Sequence, residues 1–223
     1  MGRQEQTNHL FSNRDLRILL VPLIVEQILN SLMGTADSIM VSNVGSAAIS
    51  AVSLVDSINI LVIQAFYALA AGGTIVCSQY IGQKDKKNAE ESARQLSFVV
   101  ACISSAVMAV CLLTRGPLLR LIFGSVEADV MEAAQTYFFY TALSFPFIAL
   151  YDAGSSIYRA QGNTRLPMTI AVVSNGLNIA GNAVLIWGFH LGVAGAAIAT
   201  CLGYCVPSIV GLVYFTKNRT GSL

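Results

Sequence analysis

Charge is scarce in this chain. Asp, Glu, Lys and Arg make up 11% of its 223 residues, where soluble domains carry about 25%, and its mean hydropathy is +0.65. The scarcity is uneven. Residues 166–216 contain none of the four, enough for two membrane spans of about 20 residues each. A soluble protein of this size could hide one such helix but not several, so a soluble fold is excluded. A longer stretch lacks cations alone: the 66 residues between Arg17 and Lys84 include no Lys or Arg. Histidine occurs twice, and the five cysteines (Cys77, Cys102, Cys111, Cys201, Cys205) all fall in apolar runs. Cys201 and Cys205 share a helix face, but two thiols with no His nearby make a poor metal site. The cysteines are read as small hydrophobes. No Gly-x-Gly-Asp motif accompanies Tyr151-Asp152, which argues against the paired aspartates of an intramembrane protease. With a net charge of +1, nothing points to a nucleic-acid partner, a cofactor or an enzyme.

What is present is a series of long apolar segments divided by charges and turn residues. They predict an all-α, polytopic membrane bundle of six transmembrane helices, near 18–42, 51–80, 93–114, 134–158, 168–189 and 193–216. The bundle is bounded as 18–216, with a cytoplasmic segment at 1–17 and the start of a linker or tail at 217–223. Arg3, Arg14 and Arg17 ahead of an apolar run resemble a signal peptide. That run is too long and is broken by Glu26 and Asp37, so an uncleaved first span is expected. Between the third and fourth spans, 117–124 is amphipathic enough to lie along the membrane surface. With the N-terminus inside, eleven Lys and Arg fall on the cytoplasmic side and only Arg115 and Arg120 outside. This positive-inside bias predicts a multi-pass protein of a plasma (inner) membrane, with the lipid bilayer as its first partner. Gly195, Ala199 and Gly203, and likewise Ala68 and Gly72, have the small-residue spacing that lets membrane helices pack closely.

Three carboxylates, Glu26, Asp37 and Asp56, occupy the stretch that lacks cations. A carboxylate at mid-bilayer costs roughly 2.5–3.5 kcal/mol on insertion scales and marks a functional site by default. With no cation in the same segments, the expected partner is a proton, a metal cation or a cationic solute. Glu26, Asn30 and Asp37 fall on one face of the first helix. On the fifth, Ser174, Asn178 and Asn182 follow at i, i+4, with Asn175 beside them. Asp37 lies eight residues before Gly45, Asn182 eight before His190, and Thr200 eight after Gly192. Each is therefore about 12 Å from the outer end of its helix. A carboxylate, an amide and a hydroxyl at one depth can make a proton or cation site. The competing reading of the asparagines is inter-helix glue, at about 0.6 kcal/mol per bond. Asp56 is expected simply to reach the outer interface. Asp152, seven residues before Arg159, is placed on one face with it near the cytoplasmic mouth.

Several runs carry a resemblance together. They are Pro22; Asp37-Ser38-Ile39-Met40-Val41 before Gly45; and Arg159-Ala160-Gln161-Gly162-Asn163-Thr164-Arg165-Leu166-Pro167-Met168. Asn178-Ile179-Ala180-Gly181-Asn182 and Gly195-Ala196-Ala197-Ile198-Ala199-Thr200 complete the set. In this order and spacing the chain resembles, over nearly its whole length, the multidrug and toxic compound extrusion (MATE) family of cation-coupled transporters. The resemblance implies one six-helix lobe of a twelve-helix antiporter that exports organic, cationic drugs or toxins against protons or sodium ions. It makes Asp37 the ionisable centre, surrounded by Asn178, Asn182 and Thr200, with Tyr137 lining the same pocket. If the ion is sodium, Asp37 and Asn178 are its candidate ligands. Some members carry Asp at the position of Asn182, so Asn here leaves the choice of proton or sodium open. Glu26, Asn30 and Asp152 are candidate substrate-cavity residues.

The family folds as two six-helix lobes, and this chain matches the first. The expectation is a longer protein with a second lobe, or a second copy in its place. A lipid-linked sugar or polysaccharide exporter of related architecture is the alternative. Such exporters carry cations in the cleft, and none is expected within these spans. A non-transporting fragment is the other alternative.

Overall fold

The computed structural model describes residues 13–217, with the side chains of all but 13, 15 and 212–217. Most of the expected 1–17 segment and nearly all of the 217–223 tail lie outside the described residues. The chain forms helices α1 (Asn13–Ser42), α2 (Ser46–Gly82), α3 (Lys86–Phe123), α4 (Ala128–Leu143), α5 (Phe145–Ala160), α6 (Arg165–Asn182) and α7 (Gly192–Lys217). No strand occurs among the described residues. Five helices are each long and apolar enough to cross a membrane: α1, α2, α3, α7, and α6 with its extension to Gly188.

Short turns with special backbone geometry join the rods. Gly45 adopts φ +143°, a conformation closed to most side chains, where α1 gives way to α2. Between α2 and α3 the reversal falls on Lys84 at φ +59°. Asp85 then caps α3 by accepting the Asn88 amide at 3.2 Å, which satisfies one of the unpaired donors of the first turn.

The expected fourth span is two helices rather than one. Pro146 has no N–H to return to Ala142, so the i→i−4 ladder breaks there. Ser144 closes α4 and opens α5. Its hydroxyl donates to the Thr141 carbonyl at 2.6 Å, and its own carbonyl accepts from Ile148 at 2.9 Å. The two helices thus run end to end. The segment 117–124, expected along the membrane surface, is instead the last turns of α3, which continues through Pro117 to Phe123. Its amphipathic pattern comes from one face entering the core at Leu119 while Leu121 on the other is 83% exposed. Beyond Asn182, α6 widens into a π-helical stretch, Ala183–Gly188, and its end is closed by Phe189 and Leu191 amides on the Val184 and Leu185 carbonyls.

The apolar core lies around α2, against which α3, α4 and α5 pack. Val55, Val100, Phe138, Phe145 and Leu119 are fully buried in it. The α6–α7 contact is a second, tighter seam. The small-residue ladder on α7 serves it as expected: a side chain at Gly195 would press on the Leu185 backbone, and one at Gly203 on Asn178. Ala68 and Gly72 do not pair in this way. Both are exposed, nothing lies within 4 Å of Gly72, and it is Gly73 that meets α3, at Leu96.

α1 is the outlier. Among its described side chains only Pro22, Glu26 and Val41 are buried, and Leu20, Ile24, Leu32 and Ile39 are exposed. It packs chiefly along α6.

The two classes of glycine predict opposite outcomes. Gly203→Leu overpacks the α6–α7 seam and is expected to lower stability by about 1–3 kcal/mol. Gly72→Leu meets open space and is expected to cost nothing. Thermal unfolding of both variants in detergent separates them.

Candidate functional site

Near the Gly45 end of the bundle, α1, α6 and α7 bring four predicted residues into one hydrogen-bonded line. Asn182 and Asn178 sit one turn apart on the buried face of α6, and both are 0% exposed. The Asn182 Nδ2 donates to Asp37 Oδ1 on α1 and also approaches Asn178 Oδ1, at 3.3 Å. Asn178 Nδ2 in turn donates to Thr200 Oγ1 on α7 at 3.2 Å. Thr200 donates onward to the Ala196 carbonyl at 3.0 Å. One polar atom is left over: Asn182 Oδ1 is buried with no donor. A buried carbonyl oxygen without a partner is costly unless something reaches it. Ser174, the next residue down the same stripe, donates to the Gly203 carbonyl, and Asn175 beside it has a buried, unpartnered Nδ2. Ser174 is thus helix glue, while Asn178 and Asn182 belong to the carboxylate line.

Tyr137 enters from α4, but its hydroxyl donates to Asp56 Oδ1 at 3.3 Å, not to Asp37. Asn59, one turn along α2, donates to the same oxygen at 3.4 Å. Asp56 therefore does not merely reach the interface, as its position suggested. It is half-buried, held from two helices, and within electrostatic reach of Asp37. The spacing Asp56-x-x-Asn59 was the sequence signal available for this, since i, i+3 residues face each other on a helix.

The opposite half of the lobe holds a second polar group. Glu26 is 2% exposed, and its Oε1 accepts Arg159 Nη2 from α5 at 2.6 Å and the Tyr151 hydroxyl at 3.4 Å. The expectation that Glu26 finds no protein cation is corrected here. The cation exists, but 133 residues away in sequence, beyond any pattern local to the first span. Arg159 consequently turns to Glu26 and not to Asp152, whose Oδ2 is buried without a partner. A cavity bordered by Tyr151, Ser155, Tyr158, Pro167, Pro207 and Ser208 opens beside this group. Asn30, between the two clusters on α1, is exposed. Cys201 and Cys205 place their sulfurs 3.7 Å apart, and no cluster of metal-binding side chains occurs among the described residues.

An all-helical membrane lobe with this polar line fits the transporter class that the sequence resembles, and comparison with known proteins agrees. The MatE family model matches residues 22–184, and the chain belongs to that family. It is 33% identical to the uncharacterised transporter YisQ of Bacillus subtilis, over 96% of this chain and 46% of the relative. A probable multidrug resistance protein NorM of Thermotoga maritima is 28% identical over 92% of this chain and 45% of its own length. A crystal structure of MATE in complex with MaL6 superposes with a TM-score of 0.87 at 25% identity, over 92% of this chain and 46% of that one. The chain thus spans about half the length of the relatives it matches. It is a multi-pass membrane protein.

The Tyr137–Asp56 bond yields a direct test. Tyr137→Phe is expected to lower stability by about 1 kcal/mol, the net worth of one hydrogen bond, in the native background. The same change should have little effect once Asp56 is replaced by Ala. A double-mutant cycle on thermal unfolding reads the coupling.

Proposed function

We propose that this chain is the N-terminal lobe of a cation-coupled antiporter that exports organic, cationic drugs or toxins, with Asp37 binding the coupling ion. The observation that carries the reading is the unpartnered Asn182 Oδ1 beside Asp37. A carboxylic acid and a primary amide are complementary: each donates once and accepts once. A proton on Asp37 supplies the O–H that the amide oxygen lacks. A sodium ion could use the same two oxygens, with Asn178 Oδ1 one turn away. Membrane carboxylates in protein interiors mark ion pathways, and the Asn178–Thr200 link holds the amides in register. Drug export is supported by the relatives' names, several of which are probable multidrug resistance proteins.

The Gly45 end is assigned to the outside and the Arg159 end to the cytoplasm, in a plasma (inner) membrane, on the distribution of Lys and Arg. Among the described residues, the cation of the inner cluster, Arg159, is paired with Glu26 rather than free to receive an anionic lipid head group. This favours drug efflux over export of lipid-linked sugars. The partner of this lobe is a second six-helix lobe or a second copy, because alternating access in repeat-built transporters rocks one half against the other.

Asp37→Asn in the full-length transporter is expected to abolish gradient-driven efflux with expression intact. Undiminished coupled transport by that variant overturns the assignment. Asn178→Ala and Asn182→Ala are expected to shift the cation dependence of transport per folded molecule, whereas glue residues would change only thermal stability. For the lobe itself, inverted vesicles containing residues 1–223 as a cross-link-verified monomer are expected to show no concentrative uptake of a fluorescent organic cation.

A further inference from the structure

The cluster at the Arg159 end does not balance its charge. Glu26 and Asp152 contribute two carboxyl groups, and Arg159 contributes one guanidinium. Arg159 is committed to Glu26 Oε1 at 2.6 Å. On each carboxyl an oxygen is left buried and without a donor, Glu26 Oε2 and Asp152 Oδ2, and Arg159 Nε has no acceptor. Other groups around Asp152 do not relieve it. Tyr151 on α5 donates to Glu26, at 3.4 Å, and the phenol of Tyr204 on α7 is neutral. The charged groups acting on Asp152 are Arg159, on its own helix, and Glu26, on α1. None from α2, α3, α4 or α6 does so among the described residues. Two ionised carboxylates beside one guanidinium, with an oxygen of each buried, leave one negative charge uncompensated, which burial makes unfavourable.

We infer that the Glu26–Asp152 pair is a second proton-binding site, separate from Asp37, which holds one proton while Arg159 is bound to Glu26. The guanidinium already occupying the site disfavours a metal cation there by direct repulsion, whereas a proton adds no bulk and gives one bare oxygen a donor. The proton belongs to the coupled pair rather than to either residue alone. Backbones of α1 and α5 do not pack against each other, so the long side chains of this cluster are a link between them here. Loss or gain of the proton therefore acts on the attachment of α1 at this end. This inference goes beyond the coupling role proposed for Asp37 and does not depend on it.

The test is difference infrared spectroscopy of the purified full chain in lipid nanodiscs, read at the protonated-carboxyl C=O band in an Asp37→Asn background. At near-neutral pH in sodium-free buffer, one protonated carboxyl per molecule is expected. Asp152→Asn removes it, because Glu26 then faces Arg159 alone. Glu26→Gln removes it as well, although Asp152 is untouched, because Asp152 becomes the sole carboxylate opposite Arg159. A merely structural cluster would not transmit the second change. Should Asp152→Asn fail to fold, Glu26→Gln carries the test. The inference is overturned if no protonated carboxyl is present, if either folded variant retains it, or if adding sodium at fixed pH abolishes it.

Discussion

Two helices in a bilayer gain little from hiding oily surface against one another, since lipid is as apolar as the side chains it replaces. What holds a peripheral helix in place must then be close packing or polar contact. α1 has little of the first, burying only Pro22, Glu26 and Val41 among its described side chains. Its position depends instead on polar pins to elements distant in sequence. Asp37 receives Asn182 from α6, Glu26 receives Arg159 from α5, and the Ile18 carbonyl accepts the Thr164 hydroxyl at 3.3 Å. The rest of the lobe supplies the donors. α6 can do so because its close seam with α7, made possible by Gly195 and Gly203, fixes the Asn178–Asn182 face.

The regular helix ends beside the same seam. Asn182 is the last α-helical residue of α6, and the wider π-helical turn starts at Ala183. Widened turns of this kind often occur beside functional positions. Here the extra residue per turn carries the chain past Leu185, whose backbone Gly195 approaches so closely that an added Cβ would sit 3.1 Å away. The strongly apolar centre around α2 is continuous with this region, taking in Ile186, Ala196 and Ala197. Its fully buried Phe138 and Phe145 come from α4 and α5 on either side of the Ser144 junction, so the break is held in the core rather than left at the surface.

The sequence revealed depth better than partnership. An α-helix is a rod of constant rise, so counting residues from Gly45, His190 and Gly192 brought Asp37, Asn182 and Thr200 near one level, although Thr200 meets Asn178, one turn from the Asn182 that meets Asp37. Rotation about the axis is less constrained by counting, and lateral neighbours are not constrained by it at all. For that reason the Asn178–Asn182 stripe was legible, while the choice of Asp56 rather than Asp37 by Tyr137 was not. Glu26 shows the limit most clearly. Its surroundings in sequence lack any cation, and the missing charge is supplied by a helix folded back from far downstream. The third span was expected to stop near 114, but α3 continues through Pro117 to Phe123, whereas Pro146 marks the α4–α5 break.

The two ends of α1 are secured by different chemistry, and a proton acts differently on each. At Asp37 the partner is a neutral amide that both donates and accepts. Protonating the carboxyl exchanges one hydrogen-bonding pattern for another that is equally well matched, because Asn182 Oδ1 is waiting for a donor. At Glu26 the partner is a guanidinium, which only donates. Protonating Glu26 itself would leave Arg159 charged and unpaired unless another carboxylate took its place. Asp152, on the same helix as Arg159 and with one oxygen unpartnered, is the group able to do so. One end of α1 is thus built to tolerate either protonation state in place, while at the other a change of protonation must be accompanied by a change of partner.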